Sequence, residues 1–271
     1  MPEKGFINLA VILIFLVFLS ASAFLLLRVP SKNKESIQSS PTQSETRKAE
    51  NPQIVQNSGE PPLKLKSIGI NLDYYDPKTG KAGDFEFTKQ KLEFNRLFMG
   101  YGFVIPGNMS STNQDKSNPQ PTFILPLGTP VRSLVDGVVA NIPAIWSGDV
   151  SIQITTDGKL QKWVYETEHV INPKVKVGDK VKAGDIIAEV SNFDKGAPKG
   201  YGAVEIGILH GGGEGPPEHV CPFLYLDPSI KEETLKKITA LFKSWEDYTG
   251  DQTLYNETIT PGCLTQDPID G

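Results

Sequence analysis

The spacing of apolar and polar positions divides the chain into stretches of different character. Residues 6–27, FINLAVILIFLVFLSASAFLLL, contain no charged side chain. As a helix they would span about 33 Å, enough to cross a bilayer. Residues 30–62 are rich in Ser, Gln, Pro and mixed charge, with almost no apolar positions. Such a stretch buries too little surface to fold and reads as a tether, about 30 Å long as a coil. From Leu63 the chain changes again. LKLKSIGINLDYY alternates apolar and polar residues, the period of a strand. DPKTGKAGD then marks a turn, and residues 107–121, GNMSSTNQDKSNPQP, form a long polar loop.

Between residues 122 and 226 short β-type runs recur, split by Gly, Pro and Asp: FILPLGTPVRSLVDGVVANI, VSIQITT, LQKWVYETEHVI, KVKVGDKVKAGDIIAEVSNF and GAVEIGIL. Strands this short and regular predict a sandwich or barrel. GTPVRSLVDGVV gives strand, turn, strand, and VKVGDKVKAGDIIAEV repeats that logic. Two such hammerheads interlock in a barrel-sandwich hybrid, with glycines at φ > 0 in the turns and Val and Ile filling the interior. DPSIKEETLKKITALFKSWEDY predicts an amphipathic helix. Ser229 and Glu232 have capping-box spacing, and Leu235, Ile238, Leu241, Phe242 and Trp245 form its apolar stripe.

The expected fold class is therefore mainly β, a barrel-sandwich hybrid core with an added N-terminal β segment and a C-terminal amphipathic helix. The expected organisation is 1–5 on the cytoplasmic side, 6–27 a transmembrane anchor, 28–62 a disordered linker, 63–121 a β segment with a long polar loop, 122–226 the β core, and 227–271 the helix and tail. Ala21-Ser22-Ala23 allows a cleaved signal peptide as an alternative to the anchor, and the KGFINLAVILI start allows a prepilin-type leader. The expected location is the cytoplasmic membrane, single-pass, with the bulk of the chain extracytoplasmic.

Charge and cysteine content refine this picture. The formal net charge is −5, with no basic surplus that would point to nucleic acid. Cys221 and Cys263 are the two cysteines. Outside the cytoplasm they read as one disulfide tying the tail to the core. Two free thiols are the alternative.

The run from Gly128 to Leu209 resembles the lysostaphin/LytM-type peptidoglycan endopeptidases, a zinc metallopeptidase family. The matching pieces are LPLGTPVRSLVDGVV, VYETEHV, VKVGDKVKAGDIIAEV and GAVEIGIL, roughly a third of the chain. Lipoyl, biotinyl and phosphocarrier domains share the glycine–valine framework. A carrier reading would use Lys159 after Asp157-Gly158, which lacks the usual carrier setting. A phosphocarrier reading would use His169, which is not framed as its motif requires.

The resemblance implies a zinc held by a His and an Asp four residues apart before the G-T-P-V turn, and by the last His of a His-x-His strand. By spacing those positions fall on Asn118, Thr122 and Glu205, with Ala203 opening the last motif. Only the middle-strand histidine is kept, as His169 after Tyr165, two residues further along than is usual. An amide and a hydroxyl are poor zinc donors. The resemblance thus implies a degenerate, catalytically inactive domain without a cofactor. His169 would be a vestigial catalytic residue, and Tyr165, His169 and Glu205 would line a binding groove. On a regular strand Tyr165, Thr167 and His169 share one face and Glu166 and Glu168 the other.

The expected function is a membrane-anchored extracytoplasmic LytM-like domain that binds cell-wall peptidoglycan or an envelope protein. An active zinc endopeptidase with rearranged ligands is one alternative, and a structural module of an envelope assembly is another. A cation site built from His210, His219 and Glu214 is a further one.

Overall fold

The computed structural model describes residues 59–109, 113–193, 197–211 and 216–270. The chain divides into Met1–Val55 and Gln56–Gly271. The expected anchor and nearly all of the expected linker lie outside the described residues, as does Glu214. Among the described residues no helix is long and apolar enough to cross a membrane.

In chain order the strands are β1 (Lys81–Ala82), β2 (Phe85–Glu86), β3 (Phe98–Met99), β4 (Val104–Ile105), β5 (Lys116–Ser117), β6 (Thr122–Pro126), β7 (Pro130–Arg132), β8 (Gly137–Asn141), β9 (Val150–Thr155), β10 (Trp163–Ile171), β11 (Lys180–Val181), β12 (Ile186–Val190), β13 (Tyr201–His210), β14 (Glu218–Val220) and β15 (Ile269–Asp270). Among the described residues one α-helix, α1 (Pro228–Thr249), follows β14. The protein is mainly β, as its pattern predicts. Two short hairpins, β1–β2 and β4–β5, stand apart from an 11-stranded antiparallel sheet.

That sheet runs β11-β8-β9-β10-β13-β14-β15. β6 also pairs with β13, and β12 links β10 to β7. The two predicted hammerheads interlock: β7 pairs with β12, and β8 with β11. Their turns are copies of each other. Lys176 N donates to Asp179 Oδ2 at 3.0 Å, and Lys182 N to Asp185 Oδ2 at 2.8 Å. Gly178 and Gly184 sit at φ 92° and 91°, where a side chain would be strained. Gly137 departs from the expectation. Its φ is not positive, and it is glycine because a Cβ would meet Thr155 O at 2.7 Å across the β8–β9 pair.

The predicted strand over residues 63–75 does not form. Only Leu65 bridges to another segment, in parallel with Leu226. Gly69, at φ 80°, breaks the run, and the buried residues Leu65, Ile68 and Ile70 do not follow a strict alternation. The backbone bonds instead to distant loops: Leu65 N to Tyr225 O at 3.0 Å, Lys66 N to Leu134 O at 3.0 Å. The added N-terminal segment is a strap with five two-residue strands among its elements: the hairpins β1–β2 and β4–β5, and β3, which pairs with β6 of the main sheet.

Helix α1 forms as its stripe predicts. Ile238, Leu241, Phe242 and Trp245 are buried. Phe242 packs on Phe98 and stacks on Tyr255 at 4.0 Å, and Trp245 Nε1 donates to Asn95 O at 2.8 Å. The N-cap is Asp227, two residues before the expected Ser229. Asp227 accepts from Ser229 N, and Pro228 fills the first helical position. Gly250 closes the helix at φ 78°.

Cys221 and Cys263 form a disulfide across 42 residues, enclosing α1 and the tail before Cys263. Cross-linking this loop restricts the unfolded chain. Replacing both cysteines by alanine should lower unfolding free energy by about 2–4 kcal/mol. Denaturant titration under non-reducing conditions measures it, and reductant should bring the wild type to the variant's level.

Candidate functional site

The register of three strands brings the expected positions together. Glu168 of β10 lies opposite Glu205 of β13, and Glu205 lies opposite Thr122 of β6. Directly paired residues point to the same side of a sheet. Asn118 Nδ2 donates to Thr122 Oγ1 at 3.1 Å, and Thr122 Oγ1 donates to Glu205 Oε1 at 3.0 Å. His169 Nε2 stands 3.8 Å from Glu205 Oε2. Asn118, Thr122, Glu205 and His169 therefore converge. Ala203, two residues before Glu205, lines the same cavity and adds no donor.

His169 reaches this face through a bulge. The register of β10 against β9 shifts between Thr167 and Val170. His169 itself lies at φ 59°, a conformation that costs a non-glycine residue roughly 1–3 kcal/mol. On an unbroken strand it would lie with Tyr165. The bulge turns it instead to the side of Glu166 and Glu168. Tyr165 is thus separated from it: its hydroxyl accepts from Leu63 N at 2.6 Å and donates to Leu63 O at 2.7 Å. It anchors the strap and does not line the groove.

The surroundings of His169 add residues that the motif did not flag. Its ring stacks on Phe193, with centroids 3.3 Å apart. Trp146 meets it edge-on at 6.0 Å and is 84% exposed. Asp149 Oδ2 lies 3.3 Å from His169 Nδ1. Asp149 is buried and accepts from the hydroxyls of both Ser147 and Ser191. A carboxylate at Nδ1 favours the tautomer with its proton there, leaving the Nε2 lone pair toward Glu205. Asp149 sits in the turn sequence WSGDV, where Gly-Asp is ordinary turn chemistry and gives no hint of a partner 20 residues away.

A second buried carboxylate lies further along the face. Glu166 accepts from Ser151, from Gln153 Nε2 at 2.9 Å and from Gln120 Nε2 at 3.1 Å. Gln120 can lie there because Gly207 leaves room; a Cβ on Gly207 would come within 2.6 Å of its amide nitrogen. The stretch from Asn118 to Pro121 crosses the sheet, held by Asn118 N to Phe103 O at 2.7 Å and Ile206 N to Pro121 O at 3.1 Å.

Crowded carboxylates resist ionisation. Burial, then the charges of Glu166, Glu205 and Asp149, pushes Glu168 up to about 8. Burial also pushes Glu205 up to about 7, against the pull of its Thr122 hydrogen bond and of Lys116. Glu205, Thr122, Asn118, Trp146, Phe193 and Met99 are among the residues lining a cavity of 320 Å3.

Two chemistries can be judged from these donors. A serine nucleophile needs its base at the histidine nitrogen opposite the carboxylate. Here Ser147 and Asp149 share the Nδ1 side, and both Ser147 and Ser191 donate to Asp149. The arrangement does not fit that mechanism. Zinc fits poorly too. Asn118 presents its NH2 to Thr122, and Thr122 presents its proton to Glu205, so two of the three expected ligand positions offer no anionic or imidazole donor. Among the described residues no three His, Cys, Asp or Glu side chains are grouped to hold a metal. What the site does offer is hydrogen-bond acceptors beside the exposed ring of Trp146 and the half-buried ring of Phe193.

The alternative His210/His219 pair is not brought together. His210 lies opposite Glu218 and His219 opposite Leu209, so the two point to opposite sides of the sheet. His210 lies against Trp163 at 4.2 Å. His219 is buried, and burial lowers it to about 4.

No protein-family model and no curated protein matches this chain. Solved structures do resemble it. One is a point mutant of the catalytic domain of the prophage-encoded protein EnpA from Enterococcus faecalis, 26% identical over 40% of this chain and 77% of that one, with a TM-score of 0.30. Another is the protein LytU, 28% identical over 49% and 81%, TM-score 0.35. A third is the catalytic domain of the antimicrobial peptidase lysostaphin from Staphylococcus simulans, 20% identical over 43% and 80%, TM-score 0.34. The solved structures this chain is similar to are thus of the lysostaphin and LytM kind. With scores this low, the reading of function rests on the chain's own residues.

The raised carboxyls set a pH dependence. A carboxyl group whose folded pKa lies above its unfolded value near 4.5 stabilises the fold below that value, and the contribution is lost as pH rises through the folded pKa. His219, lowered from 6.5, acts oppositely, its contribution growing as pH rises from about 4 to 6.5. Above pH 6.5, up to about 8, Glu168 and Glu205 therefore act without it. Unfolding free energy should fall with pH across that window. In Glu168→Gln the fall should be shallower, as read from denaturant midpoints at each pH.

Proposed function

We propose that this chain is a membrane-tethered, extracytoplasmic, LytM-like domain that has exchanged metal chemistry for binding. Its groove takes a peptide of the cell wall. The observation that carries this reading is the chain Asn118–Thr122–Glu205. Three positions where the resemblance implies zinc ligands converge on one spot, yet they are joined to each other by hydrogen bonds. Glu205 and the aromatic rings of Trp146 and Phe193 line the adjoining cavity, supplying an acceptor for peptide N–H groups and apolar surface for side chains. Residues 6–27 supply the anchor and residues 28–62 the reach to the wall.

Full-length protein in detergent should carry no stoichiometric zinc by elemental analysis. It should sediment with purified cell wall in a saturable way and release no peptides from it. Trp146→Ala, which removes an exposed ring at the cavity rim, should weaken sedimentation by about tenfold. Stoichiometric zinc with peptide release would overturn the reading in favour of an active endopeptidase. No sedimentation at all would leave an envelope assembly module.

The convergence itself has a separate test. The triple substitution Asn118→His, Thr122→Asp and Glu205→His restores three good donors at those positions. It should bind about one zinc per chain, measured by competition with a chromophoric chelator. No gain of zinc would mean that the three positions do not meet as a metal requires.

A further inference from the structure

A second cavity lies away from this groove, between the strap, helix α1 and the C-terminal tail. Its volume is 300 Å3, and Phe98, Phe103, Phe242, Leu254 and Tyr255 line it. Arg96 is the one charged side chain among the lining residues. The turn before it is strained, with Phe94 at φ 49° and Asn95 at φ 54°. Trp245 Nε1 fixes that turn through Asn95 O. Arg96 is thereby held between two rings, its guanidinium carbon 5.0 Å from the centroids of both Phe103 and Tyr255.

The charge of Arg96 is stacked but not neutralised. Among the described residues no carboxylate forms an ion pair with it. The two acidic groups that influence it are engaged elsewhere. Glu246 accepts from Tyr255 N at 2.8 Å, and Asp251 accepts from Thr253 N at 3.0 Å and Thr253 Oγ1 at 2.7 Å. Arg96 Nε is buried with no hydrogen-bond partner. A half-buried guanidinium in an aromatic setting recognises planar anions, because its fork matches both oxygens of a carboxylate. The walls around it are apolar, and the volume lies at the small end of ligand pockets.

We propose that this cavity binds a small apolar monocarboxylate. Its carboxylate pairs with the Arg96 guanidinium, and its hydrocarbon body fills the space lined by Phe98, Phe103, Phe242 and Leu254. The site is independent of the groove that holds His169 and Glu205.

Calorimetric titration of the full-length protein in detergent, with phenylacetate as probe and benzyl alcohol as its neutral counterpart, tests this. Phenylacetate should bind saturably and about tenfold or more tightly than benzyl alcohol, the margin expected of a charge-assisted pair. Arg96→Gln should remove that margin. Ile259→Trp, which fills the cavity and keeps the arginine, should weaken both ligands. Thermal melts report whether each variant is folded, and the second variant keeps the test open if the first is not. Equal affinity for the two probes, or no saturable binding of phenylacetate by the wild type, would overturn the proposal. Arg96 would then be a stacking clamp between Phe103 and Tyr255.

Discussion

Four carboxylates, Asp149, Glu166, Glu168 and Glu205, crowd one region of the sheet, and taking them out of water is the cost around which the site is arranged. An ionised carboxylate in a low-dielectric interior must be met by donors or lose its charge. Both outcomes occur. Asp149 is met by two serine hydroxyls, and Glu166 by a serine and two glutamines. Glu168 and Glu205 have weaker support and are pushed toward the neutral form. The donors come from separate parts of the chain: the loop before β9, the end of β12, and the stretch that crosses the sheet at Gln120. Satisfying the carboxylates therefore requires those segments to close over the same face. Two buried acids, two half-buried ones and their donors keep this part of the sheet polar rather than filled by apolar packing.

The scaffold was legible because it depends on local rules. The two V-x-x-G-D type turns carry their own instructions in Gly178, Asp179, Gly184 and Asp185, and the stripe of α1 declares its buried side by spacing alone. The convergence of Asn118, Thr122 and Glu205 could be reached from a family spacing because strand register preserves it. Other features were illegible for physical reasons. The strap alternates like a strand, yet Gly69 and its long-range partners Tyr225 and Leu134 override that pattern. The side taken by His169 depends on a bulge, and a bulge has no signature in the two-residue period that it interrupts. Asp149 and Ser191 gain their roles only from distance in space, which neither residue's neighbours encode.

Glycine is used in two ways in this protein. At the hammerhead turns it permits a backbone angle. At Gly137 and Gly207 it permits close approach, of Thr155 in one case and of the Gln120 amide in the other. The second use is tied to the site, since Gln120 reaches Glu166 only across a position without a Cβ. A scaffold element and a recognition element thus share one residue, and neither could be altered alone.

The anchoring of the strap has a mechanical consequence. A pull on the N-terminal end of the folded unit arrives first at Leu63, whose backbone is gripped on both sides by the Tyr165 hydroxyl. It arrives next at Leu65, paired in parallel with Leu226 just before α1. Parallel pairing resists such a load in shear, with its bonds strained together rather than one after another. Tyr165 lies on β10, four residues from His169. Tension at the N-terminal end of the folded unit is thereby delivered to the strand that carries the site, while Cys221–Cys263 keeps the helix on the far side of Leu226 from peeling away.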